Sequence, residues 1–484
     1  AQVYTAVAEQ FRKLGAKNFL FETLSSDAGI LEAVRTLKAA EPDAFVLVSF
    51  AVLPDGYTRE GLYCKDLVRR MSESGCVDAV GLNCVSAPGA MRTLARSLSS
   101  ALPLSVMPNA GYPVVTRTQV RYQGKPEYFA QELSGLAADG VVRILGGCCG
   151  TTPAHIAALR AALDALPETA APARTKEFST PEAKPVENED AFLCKLNAGE
   201  KVIAIELDSP RNADLTTYLE GARKLQAAGA DLLTIADCPI AQARMDSSLV
   251  ACRVHRELGM CALPHMTCRD RNLNATKALL LGLYAEGVRE VLAITGDPIP
   301  TAERDEVKNV YQFNSRKLAQ YIVSLAGEGR EMPSAMTVFG ALNLNARNFE
   351  VELRRAGEKL EHGMSGFLTQ PVLSGQAVEN LRHAREVLGS RARILAGIMP
   401  VVSQRNAIFM ENEINGIHVE EDIIRQFAGL DRAQGEELGL AISLKMAREA
   451  LPYADGFYLM TPFNRVALME RLIARLRTEV LQES

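Results

Sequence analysis

Three cysteines stand where side-chain chemistry is easiest to build. Cys84 closes the run AVGLNC, and Cys148 with Cys149 closes the run RILGGCC. Three thiolates gathered at strand ends suit a tetrahedral zinc ion and leave its fourth position open, the arrangement of a catalytic rather than a structural site. A free thiol, with a pKa of about 8.5, is mostly protonated at neutral pH, whereas a zinc-bound thiol is deprotonated outright. Such a site can therefore hold a substrate thiol as an activated nucleophile. A cysteine taken singly is more often a small core residue, so the reading rests on the three together. Gly146, Gly147 and Gly150 flank the pair and would let the backbone approach closely, while Thr152-Pro153 reads as the N-cap and first residue of the next helix.

A second group lies further along. Glu206 interrupts the apolar run VIAIEL, where partial desolvation should raise its pKa toward that of a general acid at neutral pH. The plainer alternative is a strand-end acid paired with an arginine. Further run ends add His265, Asp297, Gln370 and Arg465. Glu352, Arg355 and Lys359 share one helix face, which could hold a ribose and pyrophosphate or simply be a solvated charged face. Neither a dinucleotide-binding glycine motif nor a P-loop is present, so a nucleotide cofactor would have to lie across the strand ends themselves.

The elements that must position these groups are short, β-branched apolar runs alternating with segments of helical period, the pattern of a parallel sheet with crossover helices. Eight such runs occur in the second half, at 202–207, 231–236, 261–267, 290–296, 336–342, 366–371, 394–400 and 456–461. Eight βα units predict a complete barrel with its site at the C-terminal strand ends. The first half has five, at 19–23, 45–50, 79–84, 102–109 and 143–149. The expected fold class is therefore α/β, with two TIM-type (β/α)8 barrels in tandem, the N-terminal one lacking its first three βα units. The expected domains are 1–166 and 191–484, joined by a Pro-, Ala- and charge-rich linker at 167–190.

Of the 484 residues, 48% are hydrophobic and 23% charged, which fits an ordinary globular protein. The net charge of -5, with no dense basic block, argues against a nucleic-acid or polybasic membrane partner, and no apolar run reaches the roughly 18 residues of a membrane span. Ten irregularly spaced cysteines do not form a secreted disulfide framework, so the cytoplasm is the expected compartment. The chain opens on Ala1 without a methionine or leader, and a missing front is expected. Small molecules are the expected partners; self-association is left open.

The motifs GLNC, MPNAG and GGCCGTTPAHI, over about Ala1 to Leu166, resemble the homocysteine S-methyltransferase family. That resemblance implies zinc held by Cys84, Cys148 and Cys149, homocysteine bound by Glu22 of LFET, and Asn83 on the substrate side. The ordered set ELDSP, PHMTC, ITGDP, LTQP, GIMPV and FNR, over Phe192 to Leu481, resembles the methylenetetrahydrofolate reductase family. It implies FAD at the barrel mouth, hydride from NADH or NADPH, and reduction of methylenetetrahydrofolate to methyltetrahydrofolate. Glu206 then matches the general acid, and Asp297 the acid beside flavin and pterin. Gln370, Asn406 and Arg465 match substrate positions, and His265, Thr295, Gly296, Glu352, Arg355 and Lys359 match flavin contacts. Ala236-Asp237 stands where short reductases often carry Thr-Tyr, a departure that looks like the bifunctional subgroup with a methyltransferase barrel in front. Two rivals remain: a reductase carrying an inactive methyltransferase remnant, and a non-catalytic flavin- or zinc-binding protein of assembly or regulation.

Overall fold

Parallel strands buried on both faces need no polar alternation, and the apolar runs fold accordingly. The computed structural model describes residues 1–111, 113–115, 120–122, 124–166, 191–299, 308–327, 330–413 and 416–482. Two compact units divide between residues 181 and 182. That point, like the whole expected linker at 167–190, lies outside the described residues.

In the first unit, β1 (Asn18–Leu24), β2 (Phe45–Phe50), β3 (Ala79–Asn83), β4 (Leu104–Met107), β5 (Pro113–Val115), β6 (Val120–Tyr122) and β7 (Ile144–Leu145) follow in chain order. Five form one open parallel sheet in the order β1-β2-β3-β4-β7, as the sequence pattern requires; β5 and β6 make a separate antiparallel pair that the pattern did not signal. Among the described residues the sheet's outer strands, β1 and β7, each pair on one side alone.

In the second unit, β8 (Val202–Glu206), β9 (Leu232–Ile235), β10 (Cys261–Thr267), β11 (Glu290–Ile294), β12 (Thr337–Leu342), β13 (Gly366–Pro371), β14 (Arg393–Ile398) and β15 (Gly456–Met460) close into a parallel eight-stranded barrel. Each falls within one of the eight expected runs, give or take a residue. Inward side chains fill the barrel: Val202, Ala204, Leu232, Leu263, Leu292, Phe339, Leu368 and Leu395 share one core. The helix Ala191–Asn197 adds Phe192 and Leu196 to that core from outside the strands.

One device recurs just ahead of the strands. Asp78, Asp231 and Asp455 each accept the N–H of a residue on the neighbouring strand (Val46, Ile203 and Ile394) at 2.6–2.7 Å. Lys38, Lys195 and Arg385 neutralise them in turn. No helix among the described residues is long and apolar enough to cross a membrane.

Candidate functional site

In the first unit Cys84 follows β3 directly, with a left-handed backbone at φ 55°, and its N–H is held by the Met107 carbonyl at 2.9 Å. Cys148 N–H is held by the Pro108 carbonyl at 2.8 Å, so the last residue of β4 and the one after it brace both halves of the cluster. The three sulfur atoms lie within 4.8 Å of one another, with Cys84 and Cys149 3.6 Å apart. Zn–S bonds of about 2.3 Å in a tetrahedron put sulfurs about 3.8 Å apart, so the set fits such an ion. Burial disfavours charge on Cys84, but hydrogen bonds from Cys148, from the Val85 N–H and from Cys149 outweigh it and lower its pKa. Cys148, half-buried and beside Cys84, is pushed up to about 12, first by desolvation.

Gly150 shows why glycine is needed here: its φ is +77°, and a Cβ would stand 2.3 Å from the Tyr122 ring. The expected cap is present, with Thr152 preceding the helix Pro153–Asp164 and its N–H bonded to Nδ1 of His155 at 3.2 Å. Fully buried Asn83 ties the site together. Its Nδ2 donates to Oε2 of Glu22 at 3.3 Å and to Thr23 Oγ1 at 2.8 Å, and lies 4.0 Å from Cys148 Sγ. Glu22 itself is exposed, a carboxylate open to solvent beside the thiols.

In the closed barrel, Glu206 ends β8 with its side chain 22% exposed. Burial, reinforced by the nearby charge of Asp208 and opposed by a hydrogen bond from Tyr458, pushes its pKa up to about 7. His265 is buried on β10, and its Nε2 lies 3.7 Å from Glu206 Oε2 with no hydrogen-bond partner. Desolvation lowers its pKa to about 4, so the ring is neutral at neutral pH.

Thr295 and Asp297 are exposed beyond the end of β11, with Gly296 between them at φ +89°. The Asp297 carboxylate accepts the Ile240 N–H at 2.8 Å, and its carbonyl accepts from the buried Arg269 at 3.2 Å. The remaining expected residues divide. Gln370 is half-buried at the end of β13, beside Gly416. Arg465 is paired with Glu436 at 3.1 Å, and Asn406 is buried with its Oδ1 accepting the Val402 N–H at 3.1 Å. The Glu352, Arg355 and Lys359 face is not uniformly solvated. Lys359 Nζ reaches the Ala341 carbonyl at 2.6 Å and lies 3.7 Å from Glu352, burial lowers its pKa, and Arg355 alone stays largely exposed. Of the groups at the barrel mouth, the structure therefore brings Glu206 and His265 within ion-pair distance and distributes the others around the rim.

Sequence reasoning noted Asp237 only as a departure from the short reductases, gave it no role in the site, and passed over Arg269, Arg271 and Tyr458. Asp237 is buried at the end of β9 and accepts from the Thr267 N–H at 3.1 Å, from Thr267 Oγ1 at 2.9 Å and from Arg271 at 2.8 Å. Its signal was available, since a carboxylate after an apolar strand needs a partner and CRDR supplies two arginines. Tyr458 carried no comparable signal, because tyrosine is at home in any strand.

The homocysteine S-methyltransferase family matches residues 1–163, and the methylenetetrahydrofolate reductase family matches residues 192–477. Methionine synthase of Mycobacterium tuberculosis is 35% identical over 166 residues, which are 33% of this chain and 14% of that protein. Homocysteine S-methyltransferase of Escherichia coli is 34% identical over 150 residues, 30% of this chain and 48% of that protein. The oxidized form of an Escherichia coli homocysteine methyltransferase structure is 30% identical, covering 33% of this chain and 51% of that one with a TM-score of 0.26. The chain thus spans about half or less of the length of these relatives. With more than half of its length matched by that second family, the chain belongs to the methylenetetrahydrofolate reductase family, fused behind a homocysteine S-methyltransferase segment.

Proposed function

We propose that the closed barrel reduces methylenetetrahydrofolate to methyltetrahydrofolate with NADH or NADPH as hydride donor and FAD as cofactor, and that the N-terminal unit transfers a methyl group to homocysteine at a zinc site, giving methionine. The observation that carries the reading is Glu206: a barrel-mouth carboxyl whose pKa of about 7 lets it hold a proton at the pH where it must give one away. From there it would protonate a ring nitrogen of the folate, so that the bridging carbon opens toward an electrophilic cation. The Asp297 carboxylate, steadied by the Ile240 N–H while Arg269 holds the residue's main-chain carbonyl, would face that developing positive charge.

An orphaned, buried His265 Nε2 at the mouth is the kind of group a bound cofactor satisfies. His265, Thr295, Gly296, Asp297, Glu352, Arg355 and Lys359 would hold FAD, which when bound carries the hydride between nicotinamide and folate. Gln370, Asn406 and Arg465 would serve the substrate; Arg465 and Asn406 would first have to leave the partners described above. In the other unit Cys84, Cys148 and Cys149 would hold zinc, with Glu22 meeting the homocysteine amine and Asn83 orienting that carboxylate. Zinc would supply a deprotonated substrate thiol at neutral pH.

Replacing Glu206 with Gln tests the assignment. Folate reduction should fall about a hundredfold or more, while reduction of the flavin by NAD(P)H should be largely spared. Equal loss of both half-reactions would refute the role given to Glu206. Supplying homocysteine and zinc in the same vessel tests the second activity, and methylfolate accumulating without methionine would remove it.

A further inference from the structure

The inner faces of β8 and β15 carry a polar pair. The two strands run in parallel register, Tyr458 beside Ala204 and Met460 beside Glu206, so Tyr458 reaches Glu206 diagonally across the barrel interior. The ring is buried at 7% exposure, and its hydroxyl donates to Oε2 of Glu206. His265 Nε2 approaches the same oxygen at 3.7 Å, and Thr461 Oγ1 holds the Glu206 main-chain carbonyl. Oε1 has no hydrogen-bond partner among the described residues.

We propose that Tyr458 is a positioning residue for folate reduction: it occupies Oε2 of Glu206 and leaves Oε1 as the oxygen that carries the transferred proton. This rests on the reading of Glu206 as the general acid. In the transfer the Oε1–H bond breaks and an N–H bond forms on the substrate, the electron pair stays on Oε1, and water later restores the proton. A phenol donating to a carboxylate is a charge-assisted bond, stronger than one to a neutral carboxyl. Tyr458 therefore stabilises the anion that remains and makes Glu206 a better acid than burial alone would allow.

The other groups around Glu206 do not replace this bond. Asp208 repels the anion and is itself paired with Arg244 at 3.0 Å, with Arg211 also near. Tyr218, on the helix Thr216–Ala227, donates its hydroxyl to the Leu207 carbonyl at 3.2 Å. His265 is neutral at neutral pH.

The test is an infrared titration of the Glu206 carboxyl in the full chain without substrate, using E206Q to identify the band. In Y458F the midpoint should rise by about one pH unit from its wild-type position. Fluorotyrosine placed at 458, a stronger donor that keeps the ring and hydroxyl, should move it down. During turnover, the high-pH limb of folate reduction should shift in the same two directions. A role limited to packing would lower the amplitude and leave midpoint and limb in place. An unmoved midpoint in folded Y458F overturns the proposal; if Y458F does not fold, a midpoint that fails to drop with fluorotyrosine does so. A chain that shows both infrared shifts yet never reduces folate overturns the general-acid reading instead, with the effect of Tyr458 on Glu206 still measured.

Discussion

Glu206 and His265 set opposite pH dependences on the stability of the same barrel. Glu206 ionises near 7 in the folded chain against an ordinary 4.5. Its contribution is fully present below about 4.5 and is lost as pH rises through 7, because the folded state holds the extra proton. E206Q should therefore be more stable than the parent at pH 8, by up to about 3 kcal/mol, and nearly equal at pH 4.5. Urea unfolding at the two pH values measures the difference. His265 ionises near 4 rather than 6.5, so its contribution is present above about 6.5 and is lost as pH falls toward 4. At the thiol cluster, Cys84→Ser should lower bound zinc well below the parent's stoichiometry. Metal analysis of the purified chain reads this directly, and an unchanged ratio would count against the site. The chemistry of these residues was visible in the sequence because a carboxyl or a cysteine pair is out of place in an apolar run. Their partners were not visible: Tyr458 lies 252 positions from Glu206, and only closure of β15 onto β8 makes them neighbours.

At the scale of elements, loops and strand starts carry the precision. Gly150→Ala would place a methyl group in a left-handed position and against Tyr122. It should cost about 1–2 kcal/mol and weaken zinc binding, which competition with a chromogenic chelator would show. Asp231 has 4% of its side chain exposed and answers to Lys195, Arg477 and the Ile203 N–H. Asp231→Ala should cost about 2 kcal/mol, below the full penalty for breaking a buried pair because both cations are partly solvated. Denaturant unfolding gives that value, and Asp231→Asn, which keeps an acceptor for Ile203, should cost less. The parallel strands were legible because burial on both faces leaves unbroken apolar runs. The antiparallel pair of β5 and β6, three residues each, was too short to show a period.

For the molecule as a whole, the contrast is between a closed sheet and an open one. The barrel has no free strand edge, whereas the first unit leaves Leu20 and Phe45 partly exposed on its strands, and Val3, Val7, Phe11 and Leu14 exposed along and just after the helix Gln2–Lys13. Residues 1–166 alone should bind a hydrophobic-surface dye strongly, and residues 191–484 alone should bind it weakly and unfold in one cooperative transition. Equal dye binding by the two pieces would contradict this. Sequence by itself determined the count and order of the parallel strands, the three-thiol cluster, the position of Glu206 at a strand end and the two family resemblances, because each is written in local composition and spacing. Tertiary structure alone decided which of those polar groups touch. It drew His265 and Tyr458 onto one oxygen of Glu206, gave Arg465 and Asn406 other partners, and buried Asp237 in a network with Thr267 and Arg271. The physical reason is that barrel closure and strand register set distances between residues far apart in sequence, and the protonation of a buried carboxyl follows from those distances.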